Sequence, residues 1–141
     1  MEAYILRKII IFGGSGAGLI AASVAERLPE TKVLGFLNDN IGTGGFVGDF
    51  KKIPVIGITN DAVKYLDDED VYFFCAYEGI RNPWNSYNVW KNLPIPRERF
   101  INLFDVNSCI PEGYVKLGHG ILAAPFVQVS PDAIIADNVM L

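Results

Sequence analysis

Lys8-Ile9-Ile10-Ile11-Phe12-Gly13-Gly14-Ser15-Gly16-Ala17-Gly18-Leu19 decides the fold class of this chain. A β-branched run that stops at glycines reads as a strand buried on both faces, the kind found in parallel sheets. Gly13 to Gly18 form a turn, and Leu19 to Leu28 carry helix formers until Pro29 ends them. The alternation continues outward. Lys32 to Leu37 reads as a second strand stopping at Asn38-Asp39-Asn40, and a glycine-rich loop runs from Ile41 to Gly48. Ile53 to Gly57 is a third strand whose Pro54 suits an edge. Thr59 is placed to cap a helix over Asn60 to Leu66. Asp70 to Ala76 is a further strand, Trp84 to Leu93 a helix, and Phe100 to Leu103 a last short strand. Strands alternating with helices imply right-handed crossovers and a Rossmann-like α/β fold with a parallel sheet covered on both faces.

Near Pro111 the period changes to six. The tail aligns as Leu117-Gly118-His119-Gly120-Ile121-Leu122, Ala123 to Gln128, Val129 to Ile134 and Ile135 to Met140, with Leu141 opening a fifth hexad. The first position is always apolar and the second always small: Gly118, Ala124, Ser130 and Ala136. The fifth is Ile121, Val127, Ala133 or Val139. Hexapeptide periodicity is the signature of a parallel β-helix. The sequence therefore predicts two domains, residues 1–110 and the start of a repeat coil over 111–141.

Composition bounds the partners. The chain has 141 residues, 50% hydrophobic and 20% charged, enough to bury a core without disulfides or metals. With 12 basic and 16 acidic residues the net charge is −4, and no basic run is present, which argues against a nucleic-acid groove. Cys75 and Cys109 form no metal spacing and read as reduced thiols. Met1-Glu2-Ala3-Tyr4 lacks the pattern of a signal peptide, and no apolar stretch is long enough to span a membrane. A cytoplasmic protein is expected.

The glycine turn points to a ligand. Glycines admit close backbone approach, the helix N-terminus beyond offers unpaired N–H groups to a phosphate, and Ser15 adds a hydroxyl. The glycines at 13, 14, 16 and 18 do not follow the dinucleotide register G-x-G-x-x-G, so phosphate binding is read more firmly than NAD. Asn38 and Asp39, at the end of the next strand, suit a ribose hydroxyl or a base edge; a polar turn is the plain alternative. Tyr77 and Arg81 follow the fourth strand and open onto the same crevice. Arg81 suits a phosphate, or is a solvated surface arginine. Trp84, Tyr87 and Trp90, three residues apart, read as core before ligand box, and His119 as a surface turn before a general base.

The glycine loop Gly13 to Gly18, then Val33-Leu34-Gly35-Phe36-Leu37-Asn38-Asp39-Asn40, then Ile53-Pro54-Val55-Ile56-Gly57, then hexads, together resemble a bacterial family. It is the hexapeptide-repeat sugar O- or N-acyltransferases that acetylate sialic acid or bacillosamine-type amino sugars. The resemblance implies an N-terminal domain that binds a nucleotide-sugar such as a UDP-amino sugar. A left-handed parallel β-helix that trimerises would follow, with acetyl-CoA along the coil between subunits and no metal. It implies that Gly13, Gly14, Ser15, Gly16, Ala17, Gly18, Asn38 and Asp39 contact the nucleotide-sugar. Two departures stand out. The family often has a histidine where this chain has Ala17, and its catalytic histidine lies in hexads beyond Leu141, so the chain resembles the first part of a longer enzyme. Two other readings remain at this point: an NAD-binding redox or sensor module, and an assembly module whose hexads mainly trimerise.

Overall fold

The computed structural model describes residues 6–77 and 83–141. Five strands form one sheet: β1 (Arg7–Phe12), β2 (Thr31–Leu37), β3 (Phe46–Val47), β4 (Ile53–Gly57) and β5 (Val71–Cys75), in the order β3-β4-β2-β1-β5. β1, β2, β4 and β5 run parallel, and β3 pairs antiparallel with β4. Burial explains the apolar run: Ile9, Ile10, Ile11 and Phe12 are all fully enclosed, because helices cover both faces of a central parallel strand. One face packs on α1 (Ala17–Arg27) through Ala21, Ala22, Val24 and Ala25. On the other face, Leu93 and Ile95, at and beyond the end of α2 (Pro83–Asn92), pack on Ile10, Phe12 and Phe73.

Three local expectations are corrected. The Ile41 to Gly48 loop contains β3, so Pro54 is not on the outermost strand; Phe46 pairs with Pro54 and Val47 with Ile53. Residues Thr59–Tyr65 form a 3-10 helix, and its capping carboxylate is Asp61, which accepts the Ile58 N–H at 2.9 Å. Thr59 is thereby released for another role. The expected strand over Phe100 to Leu103 divides: Phe100 bridges to Phe73 of the sheet, while β6 (Leu103–Phe104) pairs with β8 (Leu122–Ala123).

That division marks a second kind of pairing. β6 lies parallel to β8, β7 (Lys116–Leu117) lies parallel to β9 (Ile134–Ile135), and Cys109 bridges to Gln128 and Leu122 to Met140. Each partner lies eighteen or nineteen positions later in the chain. Gly120, Phe126, Asp132 and Asn138, the fourth position of every hexad, all take positive φ between 57 and 73°. At one second position, Gly118, there is no space for a side chain. A Cβ on Gly118 would lie 2.3 Å from Oδ1 of Asp137. No helix among the described residues is long and apolar enough to cross a membrane.

Candidate functional site

The order of the sheet places β1 between β2 and β5, so successive connections leave β1 in opposite directions. Such a switch point opens a crevice at the carboxyl ends of the strands. Here it is a cavity of about 550 Å3 lined by Gly13, Gly14, Ser15, Asn38, Asp39, Asn40, Thr59, Ala76, Tyr77, Asn85, Ser86 and Val89.

The glycine loop is shaped by close approach. Gly13 has φ 131°, and a Cβ there would sit 3.1 Å from the Ala76 carbonyl oxygen. Its N–H donates to Leu37 O at 3.2 Å, tying the loop to both neighbouring strands. Gly18 packs where a Cβ would meet the Phe36 ring at 2.7 Å, which seats α1 closely on the sheet. α1 has no side-chain cap at Gly16 and no acidic residue in its first turn. Its N-terminal N–H groups and its positive dipole end therefore offer themselves to an anion. Ser15, exposed, stands at the mouth.

Asn38 is buried and its amide is spent on backbone. Nδ2 donates to Gly13 O at 2.9 Å, and Oδ1 accepts from Asn40 N at 2.9 Å and Ile41 N at 2.7 Å. It locks the two crevice loops together. Asp39 is exposed, and its carboxylate accepts the Thr59 N–H at 2.7 Å and the Thr59 hydroxyl at 2.9 Å. The Thr59 Oγ1 lies 3.1 Å from the Tyr77 hydroxyl, which donates to Leu37 O at 3.3 Å. Burial pushes the Tyr77 hydroxyl up from its ordinary pKa; the bond with Thr59 opposes the shift and the nearby Asp39 charge adds to it. The phenol stays protonated at neutral pH. Asp39 is the one charged group among the described lining residues. A phosphate at the loop would thus meet backbone N–H groups and the helix dipole.

Of the residues the sequence singles out, Gly13, Gly14, Ser15, Asn38, Asp39 and Tyr77 come together on the cavity. Gly16, Ala17 and Gly18 form the helix start that directly follows the lining residue Ser15. Arg81 lies outside the described residues, as does the side chain of Trp84. Trp90 packs on Phe100 at 5.2 Å and Tyr87 on Trp90 at 6.4 Å, and neither lines the cavity. Thr59, Asn40, Asn85 and Ser86 also line the cavity, and nothing in the sequence alone singles them out for it. Thr59 carries the signal of a polar residue just after a strand, which its capping propensity masks. No group of three or more His, Cys, Asp or Glu is placed to hold a metal among the described residues.

Residues 8–77, the span from β1 to Tyr77, match the model of the PglD N-terminal domain family. That span is similar to a PglD N-terminal domain. Among proteins with curated annotation, none matches the chain in sequence. Solved structures do. The acetyltransferase domain of PglB from Neisseria gonorrhoeae FA1090, in complex with acetyl coenzyme A, is 20% identical with a TM-score of 0.71, covering 96% of this chain and 61% of that one. A mutant of perosamine N-acetyltransferase from Caulobacter crescentus, in complex with CoA and GDP-perosamine, is 18% identical with a TM-score of 0.72, covering 94% and 59%. PerB from the same organism, with the same two ligands, is 17% identical with a TM-score of 0.70, covering 94% and 58%. The likeness extends past the PglD N-terminal domain over nearly the whole chain, so the short parallel pairs share in it. The chain spans about three fifths of the length of these structures.

Proposed function

We propose that this chain is the acceptor-binding part of a sugar N- or O-acyltransferase that takes its acyl group from acetyl-CoA. The observation that carries the reading is the crevice at the carboxyl ends of β1, β2 and β5, where an uncapped glycine-rich helix start faces a polar wall. A nucleotide-sugar such as a UDP-amino sugar would place its pyrophosphate at Gly14–Ser15–Gly16 and its nucleoside toward Asp39 and Tyr77. Arg81 would add charge to the phosphate. The structures it is similar to carry CoA and GDP-perosamine, so a guanine nucleotide belongs in the same test.

Residues 1–110 would be the binding domain, and 111–141 the opening of a left-handed parallel β-helix, with Leu103 and Phe104 already a rung. A complete coil would assemble as a cytoplasmic homotrimer. Acetyl-CoA would supply the thioester carbonyl for direct attack by the sugar amine or hydroxyl. Its pantetheine needs an apolar wall, and the coil exposes Phe126 and Ile134, which fit that need. The single histidine, His119, sits in a coil turn where Asp137 accepts its backbone N–H at 2.8 Å, and no proton-transfer role is assigned to it.

The full-length protein, given acetyl-CoA and a panel of UDP-, GDP-, CMP- and dTDP-amino sugars, is expected to release free CoA with at least one of them, followed by a thiol reagent. Release with none of them overturns the reading.

A further inference from the structure

Helix α1 has both ends engaged. Its N-terminus continues the glycine loop of the crevice, and its C-terminus carries Arg27, whose Nη2 donates to Oδ2 of Asp105. Asp105 directly follows β6, so this pair ties the sheet unit to the first rung of the coil. The Asp105 side chain has no exposure, whereas Arg27 is about half exposed (46%). A buried carboxylate is tolerated when its oxygens are satisfied and a counter-charge is near. The Asn107 N–H donates to Asp105 at 2.9 Å, and Arg27 brings the charge.

Apolar packing surrounds the pair. Ala21 and Ala25 of α1 share one buried cluster with Leu103 and Leu122 of the rungs. A second arginine, Arg97, grips Asp137 with two bonds of 2.7 and 2.8 Å, fastening the next turn of the coil. α1 has 11 residues, a rod about 16 Å long. The crevice loop and the first rung are thus the two ends of one stiff element.

We infer that Arg27 and Asp105 are positioning residues for acyl transfer, fixing the distance and angle between an acceptor held in the crevice and a donor carried along the coil. The inference rests on the acyltransfer reading above. Rate is sensitive to such geometry, a misplacement of about 1 Å costing on the order of a hundredfold. Binding at the crevice needs only the local contacts of the loop. The pair therefore governs kcat and leaves acceptor affinity alone.

The test uses the full-length protein with Arg27→Met, Arg27→Lys, and Arg27→Met combined with Asp105→Asn. The double variant leaves no buried unpaired charge and so guards against simple unfolding. Acceptor affinity is read by calorimetry and transfer by steady-state kinetics. Arg27→Met and the double variant are expected to lose at least tenfold in kcat, with Kd and KM for the nucleotide-sugar within twofold of wild type. Arg27→Lys is expected to recover most of the rate. A double variant with wild-type kcat overturns the positioning role and leaves the acyltransfer reading standing. So does a parallel loss of affinity and rate with a lowered unfolding midpoint, which is the mark of a merely structural pair. A wild-type protein that transfers nothing overturns the underlying reading, and that result is known before any variant is made.

Discussion

Thr59 donates twice to Asp39, from its amide at 2.7 Å and from its hydroxyl at 2.9 Å. The two bonds orient an exposed carboxylate at the edge of the crevice and leave its outward lone pairs for a ligand donor. A hydroxyl or N–H of a nucleoside is such a donor. Thr59→Val removes the side-chain bond and keeps the shape. Hydrogen bonds to charged groups contribute about 1.5–3 kcal/mol, so acceptor affinity is expected to fall about tenfold or more. Thr59→Ser is expected to stay within a fewfold of wild type. Calorimetry on both variants checks this, and equal affinity in Thr59→Val shows that the hydroxyl bond does not set Asp39 for binding.

A side chain at Gly13 would be strained in its backbone and crowded against Ala76. Its φ of 131° is a conformation that L-residues rarely adopt, and the Ala76 carbonyl stands 3.1 Å from any added Cβ. Gly13→Ala is expected to destabilise the fold by about 1–3 kcal/mol and to displace the loop that faces the ligand. Urea unfolding measures the first effect. Unchanged stability would mean the strand-to-helix turn is looser than its geometry.

Phe126 is 81% exposed and holds φ at 66°. The equivalent positions are filled by Gly120, Asp132 and Asn138, residues that tolerate that region. Left-handed backbone costs a bulky residue about 1–2 kcal/mol. Phe126→Asn is expected to stabilise the isolated chain by about 0.5–1 kcal/mol, since little buried surface is lost with the ring. A drop in thermal midpoint would show that the ring packs on something in solution.

Two carboxylates in the C-terminal part of the chain predict acid sensitivity. Arg97 holds the Asp137 carboxyl below its usual range, helped by the His119 N–H and opposed by burial. The bond from Asn107 lowers Asp105, burial opposes it, and Arg27 adds to the lowering. A folded pKa below the unfolded value contributes stability that is present above the ordinary carboxylate pKa and is lost as pH falls through the folded one. Urea midpoints are therefore expected to hold near neutral pH and to fall steeply below about pH 4. Asp137→Asn is expected to start lower at neutral pH and to show a shallower acid limb. An unchanged acid limb would place the linkage elsewhere.

Much of this was legible because it is local. The run Ile9 to Phe12 names a strand buried on both faces, and that is where it lies. Gly118 is glycine for a local reason too, since a Cβ there would strike Asp137. Pairing over distance is what the sequence conceals. Leu103 and Phe104 look alike whether their partner is β5 or a short strand nineteen positions on, and only the fold chooses. β3 is two residues long inside a glycine-rich loop, too short to show a period. Asn38 lies beside the glycine loop, as its place after β2 implies, but its amide serves Gly13, Asn40 and Ile41 rather than standing free toward the crevice. Arg27 and Asp105 are unremarkable surface types in sequence; their meaning comes from 78 positions of separation brought to contact.

The central claim, that the crevice beside Gly13 to Gly18 takes a nucleotide-sugar, is tested most directly by calorimetric titration of this chain with UDP-, GDP-, CMP- and dTDP-sugars, with NAD and NADH in parallel. Saturable binding of at least one nucleotide-sugar is expected, weakened by Thr59→Val, with NAD and NADH silent. No heat from any nucleotide-sugar at millimolar concentration, or saturable binding of NAD alone, would contradict it.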